Sequence, residues 1–180
     1  MKHIIHKPYW NWEKEEKWLN KLSAKGLALV DYSWCRYVFE ETPPGEYIYR
    51  IELLDYAPRY PSGVSYIKFV EETGAEFVAS YMRWVYFRKK AADGPFTLHS
   101  DIPSQIAHNK RVRRWWLGFA ILETSIGIMN VLVGTIPFFH LGNVILGGLV
   151  IVLGGAFASW VIQITRKIRR LKRELLIREG

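Results

Sequence analysis

Apolar and polar residues alternate over short distances up to about Lys90, and after Trp115 the polar positions nearly vanish. The front pattern changes period several times. NWEKEEKWLNKLSAKG carries Trp12, Trp18, Leu19 and Leu22 on one stripe, and this spacing predicts an amphipathic helix. Asn11 can cap its start, Glu13, Glu15 and Glu16 suit the positive end of the helix dipole, and Gly26 can end it in a left-handed conformation. Period two then takes over in LALVDYSW and CRYVFEE, which read as strands rich in aromatic and β-branched residues. TPPGE is a turn relieved by Gly45. EYIYRIELL predicts a third strand with Tyr47, Tyr49, Ile51 and Leu53 on one face and Ile48, Arg50 and Glu52 on the other.

PSGVSYIKFVEETG predicts a second helix, with Pro61 near its start, Tyr66, Ile67 and Val70 facing inward and Gly74 as its stop. EFVASYM and RWVYFRKK supply a fourth and a fifth strand. The order α-β-β-β-α-β-β, with short connections, predicts an α+β domain over residues 1–100: an antiparallel sheet of about five strands with two helices on one face. No repeat of 20–50 residues is visible. DGP breaks the strand pattern, and Ser100-Asp101 starts a basic linker helix over 101–114 that runs through Pro103.

The back half obeys a different rule. Trp115–Phe139 and Leu141–Ile164 are each long enough to cross a hydrocarbon core, which takes about 20 apolar residues. Soluble helices rarely lack a polar face over such a length. The prediction is a two-helix transmembrane hairpin over 115–164 and a basic amphipathic tail over 165–180. Small residues let membrane helices approach closely, so Gly127 and Gly134 on the first span are expected to face Gly147, Gly154 and Ala158 on the second. Glu123 and Asn130 share the first stripe, and Ser159 lies beside the second. Glu123 falls about 12 Å into its span at the helical rise. A carboxyl at that depth costs a few kcal/mol unless paired or protonated. It reads either as a neutral acid bonded to Ser159 or a backbone carbonyl, or as a functional contact.

Charge adds topology. Residues 1–109 hold 14 Lys and Arg against 14 Asp and Glu, whereas from Lys110 onward 11 Lys and Arg face three Glu, leaving +8. Lys110, Arg111, Arg113 and Arg114 precede the first span, and Arg166, Lys167, Arg169, Arg170, Lys172 and Arg173 follow the second. The loop around His140 has no cation, so the positive-inside bias predicts two spans with both termini cytoplasmic. The basic clusters fit anionic lipid, and the tail stripe Ile164, Ile168, Leu171 and Leu175 predicts a helix lying on the inner leaflet, with a coiled-coil contact as the competing reading. The first residues predict no signal peptide, and the single cysteine, Cys35, excludes an internal disulfide and fits a reducing compartment.

Signatures of catalysis are missing: no P-loop, no GxGxxG, no GxSxG, no HExxH and no Cys pair. His3 and His6 lack a third ligand, His99 and His108 flank the linker helix start as solvated or capping residues, and neither Glu40-Glu41 nor Glu71-Glu72 points both carboxylates one way. The domain's many aromatics are interleaved with arginines, but its electroneutrality argues against nucleic acid. A protein partner on an aromatic sheet face around Arg83, Trp84, Tyr86 and Arg88 is the expectation, with no cofactor, metal or small-molecule substrate.

EKWLNKLSAKGLALVDY, YRIELL and above all GAEFVASYMRWVYFRKKAADGPFTLHSD resemble the bacterial DUF2812 family over nearly all of residues 8–110. That family is defined by a domain of unknown function, so the resemblance implies no catalytic residues. It does imply a membrane-tethered module, since members often carry apolar segments after the domain, and a gene setting beside PadR-type repressors. The resulting expectation is a non-catalytic accessory or regulatory protein at the inner face of a membrane, with a protein partner or a second copy of itself. Two rivals are a small subunit of a transport or resistance complex using Glu123, and an enzyme acting on a lipid or envelope precursor.

Overall fold

The computed structural model describes residues 2–136 and 140–179, so the end of the first expected span, residues 137–139, lies outside the described part. The chain divides after Ser100 into two compact units. The first is α+β. Its strands are β1 (Lys2–His6), β2 (Leu27–Ser33), β3 (Arg36–Glu41), β4 (Tyr47–Leu53), β5 (Glu76–Tyr81) and β6 (Trp84–Lys90), and its helices are α1 (Trp12–Ser23) and α2 (Pro61–Glu72). Six strands form where five were expected, and they make two antiparallel three-stranded sheets, β1-β3-β2 and β4-β6-β5, not one. The added strand is KHIIH, which pairs along β3 from Lys2↔Glu40 to His6↔Arg36. None of its residues is fully buried, which leaves little periodicity to read.

The element order resolves into β1-α1-β2-β3 followed by β4-α2-β5-β6, the same βαββ unit twice. The match extends to backbone irregularities. The β2–β3 ladder slips between Leu29 and Asp31, and the β5–β6 ladder slips between Phe77 and Ala79, 48 positions later in each case. Gly26 and Gly74 sit at φ +84° and +85° before the second strand of each unit, again 48 apart. At Gly26 a Cβ would also lie 2.7 Å from the Thr42 carbonyl oxygen. The repeat therefore lives in turns and bulges, with aligned pairs such as Tyr37/Val85 sharing burial and no chemistry. This corrects the expectation of no repeat.

Two apolar clusters form the core, the first drawn from both halves and the second from the later half and the segment that follows it. Leu19 of α1 packs with Leu29, Tyr37, Phe39, Tyr49, Ile51 and Tyr86, and Val70 of α2 packs with Leu54, Ala75, Val85, Phe87 and Phe96. α1 starts as its sequence dictates, with the Asn11 side chain accepting from the Glu13 and Lys14 amides at 2.9 and 3.2 Å. The two-residue connections of both hairpins carry side chains in the left-handed region: Trp34 at φ +32°, Cys35 at +61° and Met82 at +55°. That conformation costs a residue with a Cβ about 1–2 kcal/mol.

The second unit consists of α3 (Ile102–Thr135) and α4 (Leu141–Glu179), antiparallel helices of 34 and 39 residues. At 1.5 Å per residue they measure roughly 51 and 58 Å. The linker and first span are thus one continuous helix, as are the second span and the tail. Asp101 caps α3 by accepting from the Ser104 amide at 3.0 Å.

Candidate functional site

The chemistry of the first unit centres on α1, which presents two different faces. Along one, Glu16, Asn20 and Ser23 meet the outer edge of β4. Glu16 Oε2 accepts from the Ile51 amide at 3.1 Å, and Asn20 Oδ1 accepts from the Tyr49 amide at 2.9 Å while its Nδ2 donates to the Tyr49 carbonyl at 3.1 Å. Ser23 Oγ donates to the Tyr47 carbonyl at 2.6 Å and accepts from the Tyr47 amide at 3.3 Å. Four residues of helix rise about 6 Å, close to the roughly 6.7 Å spanned by two residues of strand. A polar stripe at i, i+4 and i+7 therefore keeps step with alternate residues of an antiparallel edge. The helix supplies in side chains the ladder that a further strand would give in backbone, and β4 has no naked edge.

One position earlier, Glu15 points inward. Its Oε1 accepts from the hydroxyls of Tyr37 and Tyr86, both at 2.7 Å. Tyr32 lies between those two rings, with centroids 4.6 Å from each. Burial pushes the Glu15 carboxyl above its ordinary value, and the two tyrosine hydrogen bonds offset part of that rise. Burial and the neighbouring carboxylate push Tyr37 and Tyr86 up as well, so both remain hydroxyl donors. Tyr49 is pushed up to about 12, chiefly by burial. The cluster thus joins α1, β3 and β6 through one carboxylate oxygen, uniting both halves of the duplicated fold. Sequence reasoning assigned Glu15 only to the helix dipole. Its place on the stripe Trp12, Glu15, Leu19, Leu22 was the available signal.

Two other expectations are corrected here. Glu52, read as lying on the polar face of the third strand, is fully buried and pairs with His99 Nε2 at 2.5 Å, so His99 is neither a cap nor simply solvated. Of the residues expected at an aromatic partner face, Tyr86 is buried beneath Glu15. Trp84 packs against the first core. Arg83 donates through Nε and Nη2 to the Leu54 carbonyl, and Arg88 bonds Glu76 Oε2 at 2.7 Å with its guanidinium 4.3 Å from the Tyr47 ring centre. These four side chains tie strands together and form no open face. The exposed large apolar residues of this unit lie elsewhere, at Ile4, Trp10, Trp34, Tyr56, Tyr60, Val64, Phe69 and Met82.

In the second unit the two helices meet along a seam of small residues. A Cβ on Gly127 would lie 2.8 Å from the Gly147 carbonyl, one on Gly147 2.6 Å from the Gly127 carbonyl, and one on Gly134 2.9 Å from the Val144 amide. Gly154 faces Thr124 and Ala120, and Trp116 closes the seam against Phe157 at 5.2 Å between centroids. Ala158 is exposed and Phe157 stands in the place expected for it. Ser159 is also exposed and bonds the Ala156 carbonyl of its own helix at 2.7 Å, so it is no partner for Glu123. Asn130 likewise bonds its own turn, at Ile126. Glu123 is half-buried and makes no hydrogen bond or ion pair among the described residues. The seam passes through Thr124, next to it.

Because α3 and α4 run antiparallel, Lys110, Arg111, Arg113 and Arg114 fall at the same end of the hairpin as Arg166, Lys167, Arg169, Arg170, Lys172 and Arg173. The tail stripe Ile164, Ile168 and Leu171 is buried at that end, level by helical rise with Val112 and Ile106 of α3. The helix pairing thus continues beyond the apolar spans, and the competing coiled-coil reading describes the tail better than a helix laid on lipid. Outside the seam the helices expose Leu117, Ile121, Leu122, Ile126, Met129, Leu149 and Val152, among others. In their most apolar stretches only 17% and 11% of the residues are buried. A core helix of a soluble protein would be mostly covered. Both helices are long and apolar enough to cross a membrane.

A duplicated βαββ domain leading into an apolar helical hairpin is the class of protein these features define. A family model described as a protein of unknown function, DUF2812, matches residues 11–121, from the cap of α1 into the apolar part of α3. The chain belongs to that family. No curated protein and no solved structure matches it.

Proposed function

We propose that the protein is a non-catalytic module anchored in a bacterial membrane by α3 and α4, with both termini on the cytoplasmic side and its βαββ pair held there to bind another protein. The observation that carries this reading is the bare apolar surface of α3 and α4, combined with cations at one end of the hairpin only. Hydrocarbon is the medium in which such a surface is stable, and the cationic end belongs with the inner leaflet and its anionic lipids. For the protein partner, Tyr60, which precedes α2, and Val64 and Phe69 on α2 are exposed. In-cell crosslinking of the full chain tests the module: a single co-purifying protein lost in Phe69→Ser supports it. Cys35 tests the orientation, since it is the sole cysteine. A membrane-impermeant maleimide should label it in detergent-solubilised cells and not in intact ones. Labelling of intact cells overturns the orientation, and recovery of the full chain in the detergent-free soluble fraction overturns the anchor.

A second reading has its own observation. Glu123, lacking a partner among the described residues, sits where an uncompensated carboxylate costs a few kcal/mol. A helix from another membrane protein would relieve that cost, making the chain a small subunit of a transport or resistance complex. Glu123→Gln separates the two: it abolishes activity in the transport reading and leaves partner capture by the βαββ domain unchanged in the leading one.

A further inference from the structure

We infer that the two β-hairpin tips, Trp34-Cys35 and Met82-Arg83, form one pad that seats on an anionic phospholipid surface. The inference rests on the reading that α3 and α4 cross a bilayer, and adds a second, reversible contact between the βαββ pair and that bilayer.

Four observations converge. Trp34 is 71% exposed and Met82 55% exposed, although both are large and apolar. They occupy equivalent positions in the two βαββ units, 48 residues apart, so the duplication presents the same feature twice. Both adopt positive φ, where Gly, Asn or Asp relieves strain and bulky side chains aggravate it. An exposed Trp and Met bury little surface in return for that strain. Finally, the tips are neighbours: the Tyr81 ring that precedes Met82 lies 5.8 Å from the Trp34 ring and 6.1 Å from that of Tyr32.

Chemistry selects the occupant. Trp prefers the headgroup level of a bilayer, where its ring is half in hydrocarbon and its N–H meets water, and flexible Met adapts to an irregular apolar medium. The rim of the pad is cationic. Lys7, which is exposed, donates its backbone N–H to the Cys35 carbonyl at 2.8 Å and Arg36 follows the first tip, whereas the Arg83 guanidinium is turned to the Leu54 carbonyl. The carboxylate on the same hairpin, Asp31, stands 3.6 Å from Arg36, which leaves Lys7 as a rim cation with no ion pair among the described residues. A surface of this composition matches anionic headgroups, each nearby cation adding to the attraction. A bilayer is also close along the chain: Ser100, which ends the unit, is 15 residues from Trp115, where the apolar stretch begins.

Cys35 provides the probe, since it lies inside the pad and is the sole cysteine. The full chain is reconstituted into nanodiscs of pure phosphatidylcholine or of a phosphatidylcholine–phosphatidylglycerol mixture, and a nitroxide on Cys35 is read by its collisions with oxygen and with a water-soluble nickel complex. On the anionic discs the label should lose several-fold of its nickel collisions and gain oxygen collisions. On pure phosphatidylcholine it should remain mostly in water. Trp34→Asn with Met82→Asn should return the label to water on anionic discs while raising the melting temperature, because Asn accepts the left-handed conformation. A variant that stays lipid-shielded overturns the inference, as does a label equally water-accessible on both discs. Shielding that is independent of lipid and accompanied by a short spin–spin distance between labels assigns the pad to a second copy and also overturns it. If the chain fails to co-elute with either disc, the anchor reading itself has failed, which separates that outcome from failure of the pad.

Discussion

Asn20→Ala tests whether α1 acts as the missing strand beside β4. The Asn20 amide group satisfies both backbone groups of Tyr49 and also donates to the Glu16 carbonyl one turn earlier at 2.8 Å. Truncation leaves the Tyr49 N–H without a partner at a partly buried site, while its C=O keeps the Arg50 Nη1 donor at 2.8 Å. An unmade hydrogen bond at such a place costs about 1–3 kcal/mol. At 1.36 kcal/mol per factor of ten, this lowers amide protection at Tyr49 by about 5- to 150-fold. Residue-resolved hydrogen exchange on the full chain in detergent micelles reads it directly. The Ile51 and Tyr47 amides, held by Glu16 and Ser23, should lose less, and β1–β3 amides least. Asn20→Asp retains an acceptor for the Tyr49 amide and should keep most of its protection. Wild-type protection at Tyr49 in Asn20→Ala would refute the reasoning. So would an equal loss in β1 and β3, which would mean general weakening and not an opened edge.

Two further outcomes follow from the buried acid and the helix seam. Since burial holds the Glu15 carboxyl above 4.5, the native state keeps its proton where the unfolded chain has lost it, and stability from this group falls as pH rises from about 4.5 through the native value. Glu15→Gln, neutral at every pH, should flatten that part of the slope in urea midpoints measured between pH 4 and 8, leaving the share due to Glu16, whose burial raises it in the same direction. An unchanged slope would deny Glu15 its role. In the hairpin, Gly127→Leu must push the helices apart because its Cβ would meet the Gly147 carbonyl at 2.8 Å, whereas Gly148→Leu enters open space. Thermal unfolding in detergent should fall by several degrees for the first and stay within a degree or two for the second. Equal effects would mean the helices are not paired along this seam.

Much of the fold could be read from periodicity. Elements from α1 to β6 carry clear three-to-four or two-residue spacing, and Asn11, Gly26, Pro61 and Gly74 mark boundaries by known backbone preferences. What periodicity lacks is partner order. Alternation in EYIYRIELL says that Tyr49 and Arg50 face opposite ways, and nothing about a sheet that stops at β4 because a helix covers its edge. KHIIH is too short and too exposed to stand out. The duplication escaped because bulges and left-handed turns repeat at 48 residues while side chains do not. Glu15 was legible in principle, as an acid on an apolar helical stripe, but its tyrosine partners come from strands distant in sequence. In the hairpin, spacing allows either Glu123 or Thr124 into the seam after Ala120, and only the packed helices choose between them.

The way α1 closes the edge of β4 also bears on how the domain is made. The earlier half donates a helix to the later half, so the two copies of the duplicated unit are interlocked and neither is a self-sufficient fragment. During synthesis α1 is already out of the ribosome when β4 emerges, and a waiting template greets a strand whose sheet partner, β6, is still to come. Cutting the chain in the TPPGE connection should therefore give two pieces that are each poorly folded alone and that rebuild the domain on mixing.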